Sequence, residues 1–145
     1  MRSGADGAAA VAVARAYLAA LGGDDPRAVA ALVDDGFVNE HVAELGAGSV
    51  GRADYERRLP GFFATFANRR YTVEATAVGE LVGGERGAAT SEVLVRYRFG
   101  ADVAGVRVDI PGVMWMGVRD GVVVRRLDSW DSLTFHRQTG IPIDG

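Results

Sequence analysis

From Tyr71 to Trp130 the chain reads as four strands in succession. The runs Tyr71–Val82, Ala88–Phe99, Val106–Val118 and Val122–Trp130 are rich in Val, Tyr, Thr and Trp, which suit a pleated, half-buried surface. Their separators are Gly83-Gly84-Glu85, the stretch from Gly100 to Gly105, and Asp120-Gly121. Asp-Gly adopts the positive φ angles that a two-residue hairpin requires, so it is the strongest turn signal in the chain. Four such strands in a row predict an antiparallel meander.

The first half has a different period. Ala5 to Leu21 is rich in helix formers and stops at Gly22-Gly23. Asp25 is placed to cap a second helix, with Pro26 at its first position and Ala28 to Val33 continuing it. Asp34-Asp35-Gly36 breaks that helix, Phe37 to Val42 reads as a short strand, and Leu45 to Gly51 as a loop. Arg52 to Ala67 forms a third helix, on which Leu59, Phe62, Phe63 and Phe66 make one broad apolar face. Pro60 should kink or break it. After Trp130, Ser132 to Thr139 reads as one or two helical turns, with Asp131 as the cap. Helices early and strands late predict one α+β domain over residues 1–145, a curved sheet wrapped on three helices. An apolar pocket would lie between the two layers.

Composition removes several classes of function. All 16 basic residues are arginine, so Schiff-base and P-loop lysine chemistry are excluded. With no cysteine there are no disulfides, thiolate nucleophiles or cysteine-bound metals. Two histidines make a metal site a poor expectation. A net charge of −3 offers no basic footprint for nucleic acid or an anionic membrane. The apolar run Ala8 to Ala14 is interrupted by Arg15 and reads as an alanine-rich helix rather than a secretion signal. The expected location is cytoplasmic.

Three pieces of the C-terminal third, in this order, carry a resemblance: the hairpin Asp120-Gly121, the strand end Asp128 to Asp131, and Gln138-Thr139-Gly140. Phe37-Val38-Asn39 and the helix from Gly51-Arg52 to Phe62-Phe63 and Phe66 add two more. Together they resemble the SnoaL-like proteins of the nuclear transport factor 2-like superfamily. The resemblance implies a cone-shaped, cystatin-like α+β fold enclosing a pocket. It implies a cofactor-free polyketide cyclase or isomerase acting on a small apolar, polyketide- or terpenoid-like molecule. Non-catalytic binding modules and epoxide hydrolases share the fold. It also implies a homodimer through the outer sheet face, where Arg96, Arg98 and Trp115 would sit.

Alternation places Arg126, Asp128 and Trp130 on one face of the last strand. The resemblance turns Asp128 into the cone. A carboxylate that loses hydration there suits general acid or base work. On the first strand Val38 and Glu40 share one face, and Phe37, Asn39 and His41 the other. The resemblance makes Glu40 a second pocket carboxylate, with His41 the alternative should a bulge turn it inward. A resemblance of role to the related ketosteroid isomerases makes Tyr97 a hydrogen-bond donor to a substrate carbonyl. Leu59, Phe63, Phe66, Val95, Phe99, Val108, Ile110, Met114 and Trp130 would wall the pocket. A resemblance to the limonene epoxide hydrolases would imply an Arg-x-Asp pair where Val95 and Tyr97 stand, and Arg107-Val108-Asp109 lies on the next strand.

Overall fold

The computed structural model describes residues 4–41, 48–81 and 90–143. The elements are α1 (Gly4–Leu21), α2 (Pro26–Ala30), β1 (Val33–His41), β2 (Ser49–Val50), α3 (Arg52–Thr65), β3 (Ala67–Gly79), β4 (Ser91–Val103), β5 (Val106–Arg119), β6 (Val122–Trp130) and α4 (Ser132–Thr139). They form one curved, open six-stranded sheet in the order β2-β1-β6-β5-β4-β3, with the N-terminal helices packed against it. The meander β3–β6 is antiparallel, as its sequence predicts, whereas β1 returns beside β6 in parallel. The expected turn at Gly83-Gly84-Glu85 lies outside the described residues, as do residues 45–47 of the expected loop from Leu45 to Gly51.

Local chemistry explains the element ends. Asp25 Oδ1 accepts from the Arg27 amide at 2.9 Å, with Pro26 at the first helical position. Asp131 caps α4 by accepting from the Thr134 amide at 3.0 Å and the Thr134 hydroxyl at 2.6 Å. Asp120 and Gly121 turn β5 into β6 with φ of 52° and 78°. A matching turn at Ala104-Gly105, φ 49° and 82°, joins β4 to β5. The break expected from Gly100 is therefore confined to two residues, because Ala101 and Val103 continue the buried alternation of β4.

Two other expectations are corrected. Helix α2 ends at Ala30, and Asp34-Asp35-Gly36 does not stop an element but bulges out of β1. Register against β6 steps from Val33 opposite Val123 to Val38 opposite Arg125, and Asp34 Oδ2 folds back onto the Gly36 amide at 2.9 Å. Turn-forming residues here serve a bulge, which strands accommodate. Helix α3 runs unbroken through Pro60, which lies on its exposed side, where water can satisfy the carbonyl that the missing N–H leaves free.

Helix α1 is long and apolar enough to cross a membrane by length and composition alone. It instead lays Ala10, Ala14, Tyr17, Leu18 and Leu21 against the sheet. Buried Arg69 ties the ends of α1 and α3 together. Its guanidinium donates to Leu21 O at 2.8 Å, Phe66 O at 2.6 Å and Gly23 O, and stacks 3.7 Å over the Phe63 ring. These carbonyls are the ones a helix leaves unpaired at its C-terminus. The clamp sets Leu21, Phe62 and Phe66 at one rim of the space between helices and sheet.

Candidate active site

That space is a cavity of about 320 Å³. Leu21, Leu59, Phe62, Phe66, Phe99 and Trp130 form its apolar wall, and Asn39, His41, Tyr55, Tyr71, Tyr97, Arg126 and Asp128 its polar side, with Arg58 also on the lining. The apolar wall is an aromatic cluster: Phe66 lies edge-on to Phe99 at 5.6 Å and to Trp130 at 6.4 Å.

Asp128 stands where the alternation of β6 predicts, on one face with Arg126 and Trp130. It is 5% exposed and Arg126 6%. Arg126 reaches back along its own strand to donate to Asp128 Oδ2 at 2.8 Å. Tyr97 donates to Oδ1 at 2.6 Å. Tyr97 can do so because its partner across β5 is Gly112: a Cβ there would stand 2.4 Å from the tyrosine oxygen. The other fork of Arg126 donates to Tyr17 Oη at 3.0 Å, and Tyr17 Oη lies 2.5 Å from Tyr55 Oη. One hydrogen-bonded chain thus runs from Tyr97 through Asp128, Arg126 and Tyr17 to Tyr55.

Burial sets most of the site's protonation. It pushes the Tyr97 phenol well above its ordinary value, and the adjacent Asp128 carboxylate pushes the same way, so Tyr97 stays a neutral donor. Burial likewise raises Tyr71 and Tyr55. It would lower Arg126, but the neighbouring Tyr17 and Asp128 oxygens outweigh it and hold the guanidinium charged. His41 is pushed below the ordinary imidazole value by burial and then by Arg126, with Asp128 opposing in part. His41 is therefore a neutral imidazole near pH 7. Among the described residues its buried Nδ1 meets no hydrogen-bond partner, nor do Asn39 Oδ1 and Arg126 Nε.

Several site expectations are corrected. Glu40 is exposed and does not reach the cavity, and Val38 shares its face. Phe37, fully buried, anchors the opposite face of β1, so strict alternation carries Asn39 and His41 inward. Phe63 turns under Arg69, leaving Leu59, Phe62 and Phe66 on the cavity side, spaced by three and four residues. Val95, Val108, Ile110 and Met114 do face inward, but they are fully buried core and do not line the open space. Leu59, Phe66, Phe99, Tyr97, Arg126, Asp128 and Trp130 line the cavity, and so does His41, without the local bulge its inward placement was expected to need. Trp115 is half-buried on the outer face, donating to Glu92 at 3.2 Å beneath Arg125, rather than standing free. Arg98 pairs with Asp109 at 3.0 Å, and Arg96 with Glu74 at 3.4 Å.

The sequence pattern does not single out Tyr55, Tyr71 or an inward Asn39. Tyr17 and Tyr55 both sit on apolar helix faces, and a buried tyrosine hydroxyl needs a partner. That rule is the one signal that points to them.

A curved open sheet packed on N-terminal helices is the ketosteroid isomerase-like, nuclear transport factor 2-like fold. The chain belongs to the SnoaL-like domain family, whose model matches residues 14–126. A SnoaL-like protein from Jannaschia sp. CCS1 shares 19% identity over 98% of each chain, with a TM-score of 0.72. A protein of ketosteroid isomerase-like fold from Catenulispora acidiphila, solved with trimethylamine, shares 19% identity over 92% of this chain and 95% of its own, TM-score 0.75. An LEH-like epoxide hydrolase from M. tuberculosis shares 20% over 90% and 89%, TM-score 0.70. At these identities the likeness concerns the fold alone. No curated protein matches in sequence.

Proposed function

We propose that the protein is a cofactor-free acid/base catalyst, an isomerase or cyclase acting on a small apolar molecule, with Asp128 as the proton acceptor. One observation carries this reading. In an aromatic cavity of about 320 Å³, Asp128 is held in a fixed orientation by Tyr97 and Arg126. The volume is at the low end of ligand pockets, about 300–1,000 Å³. Enolisation or aldol closure asks only for a positioned base and a donor to the developing oxyanion. A screen of small cyclic ketones by thermal shift, with mass spectrometry of the products, tests it. Turnover lost in Asp128→Asn supports the reading, and full turnover in that variant refutes it.

A second reading is a non-catalytic binding module. It is favoured by the fact that both Asp128 oxygens are already engaged within the protein. Ligand stabilisation without any product would select it. Epoxide hydrolysis has less support, because Arg107 and Asp109 are exposed, with the Asp109 carboxylate accepting from Arg98 and its backbone bonded to Gln138.

Cytoplasmic residence and a homodimer belong to the same proposal. Leu94 (42% exposed) and Val113 (44%) leave an apolar strip on the outer sheet face beside Trp115. Leu94→Glu in analytical ultracentrifugation should yield monomer. An unaltered protein that sediments as monomer removes the dimer.

A further inference from the structure

Among the described residues, the buried side-chain atoms that meet no hydrogen-bond partner are Asn39 Oδ1, His41 Nδ1, Ser49 Oγ and Arg126 Nε. All of them belong to one patch of the sheet. Asn39 stands directly opposite Ser49 on β2 and Arg126 on β6, and His41 follows on the same face opposite Asp128. Asn39, Ser49 and Arg126 are each more than nine-tenths buried, and Asn39, His41 and Arg126 line the cavity. A buried polar atom left unpaired is costly, so a cluster of them on a cavity wall marks the place of a ligand's polar group.

The chemistry of the patch selects that group. The terminal nitrogens of Arg126 are committed to Asp128 and Tyr17, so Nε is the donor that still needs a lone pair. Asn39 Oδ1 is an acceptor that needs a proton. A ketone or ether oxygen answers Nε alone. A carboxylate would set a second negative charge against Asp128, and an ammonium would face the guanidinium. A neutral hydroxyl carries both a proton and lone pairs. His41, kept uncharged by burial, adds a ring nitrogen beside it. We propose that Asn39 and Arg126 Nε, flanked by His41, form a hydroxyl-binding subsite, and that the cavity takes an apolar molecule bearing an alcohol. The proposal rests on reading this cavity as the ligand site and names a second group of the substrate besides its carbonyl. Nε belongs to the guanidinium that holds Asp128, so the alcohol lies within a few bonds of the carbon that Asp128 serves.

The test compares three probes by isothermal titration calorimetry: 2-tetralol, its methyl ether, which cannot donate, and tetralin, which has no oxygen. The unaltered protein should bind the alcohol about tenfold more tightly than either, as expected for hydrogen bonds that include a charged donor. Asn39→Leu should bind alcohol and ether alike. It should also melt at a higher temperature without ligand, because an unpaired buried amide gives way to an apolar side chain of similar size, a change that a structural role for Asn39 would not produce. An alcohol bound no more tightly than the ether by the unaltered protein, or not bound at all, overturns the proposal. So does a folded Asn39→Leu that keeps the preference. The comparison of probes needs no variant, so it decides the matter even if Asn39→Leu does not fold. An Asn39→Leu that melts lower, with no preference among the probes in the unaltered protein, assigns the patch to a fixed water and also overturns the proposal. 2-Tetralol has no carbonyl, so alcohol selectivity without any Asp128-dependent turnover would sink the catalytic reading and keep this one. Turnover without the selectivity would do the reverse.

Discussion

Replacing Arg126 and Asp128 singly and together exposes how the site is held. Both side chains are under a tenth exposed and their ion pair is 2.8 Å long. Arg126→Met leaves the Asp128 carboxylate buried with Tyr97 as its one donor, and should cost about 3–5 kcal/mol. Asp128→Val leaves a buried guanidinium bonded to Tyr17 alone and also strands the Tyr97 hydroxyl, for about 4–8 kcal/mol. The double variant carries no unpaired charge. Its remaining fault is the Tyr97 hydroxyl, worth roughly 1–3 kcal/mol. The double variant should thus be more stable than either single. Urea titration followed by tryptophan fluorescence measures all three. A single variant that fails to fold while the double folds leads to the same conclusion. If the double loses as much as the two singles combined, the pair is not what links these side chains, and the account of the site is wrong. The loss also means that a fall in stability cannot by itself mark Asp128 as merely structural.

Other outcomes follow from single contacts. Gly112→Ala puts a methyl 2.4 Å from the Tyr97 oxygen and must push the ring off Asp128. It should lower stability by about 1–3 kcal/mol in denaturant titration, and Tyr97→Phe in the same background should recover part of that. Arg69→Met unpairs the carbonyls of Leu21, Gly23 and Phe66 and should cost about 3 kcal/mol or more, read as a lower urea midpoint. The folded-state value of His41 is depressed, so below about pH 6.5 the unfolded chain binds a proton there that the folded chain does not. Stability should fall as pH drops from about 6.5 to that lower value, and His41→Gln should flatten that part of the profile. An unchanged slope would mean His41 is not buried against Arg126.

The meander is legible in the sequence because each of its strands is bounded by turn chemistry and its inner residues alternate without interruption. Asp128 follows from the same alternation, and the Asp131 cap from its place before a polar helical run. The first strand is harder. Asp34-Asp35-Gly36 has the same composition whether it ends a helix or bulges a strand, and only pairing with β6 decides. Resemblance carries Glu40 inward, although Phe37 on the same strand already marks the opposite face as the buried one; the burial of Phe37 corrects it. Val95 and Met114 show the converse. An inward apolar residue can fill the core or line a cavity, and strand periodicity does not separate the two. The tyrosine chain joins α1, α3 and β6, three elements far apart in sequence, so no local pattern announces it.

The central claim is that Asp128 moves a proton to and from a molecule held in this cavity. Proton exchange at the carbon next to the carbonyl of 2-tetralone, followed by NMR in deuterium oxide, reads that step without knowledge of the natural substrate. The unaltered protein should accelerate the exchange at least about a hundredfold over buffer, the low end for a positioned general base. Asp128→Asn, shown to be folded and to bind the ketone, should return the rate to that of buffer. Equal exchange rates in the two proteins, with the ketone bound to both, would contradict the account.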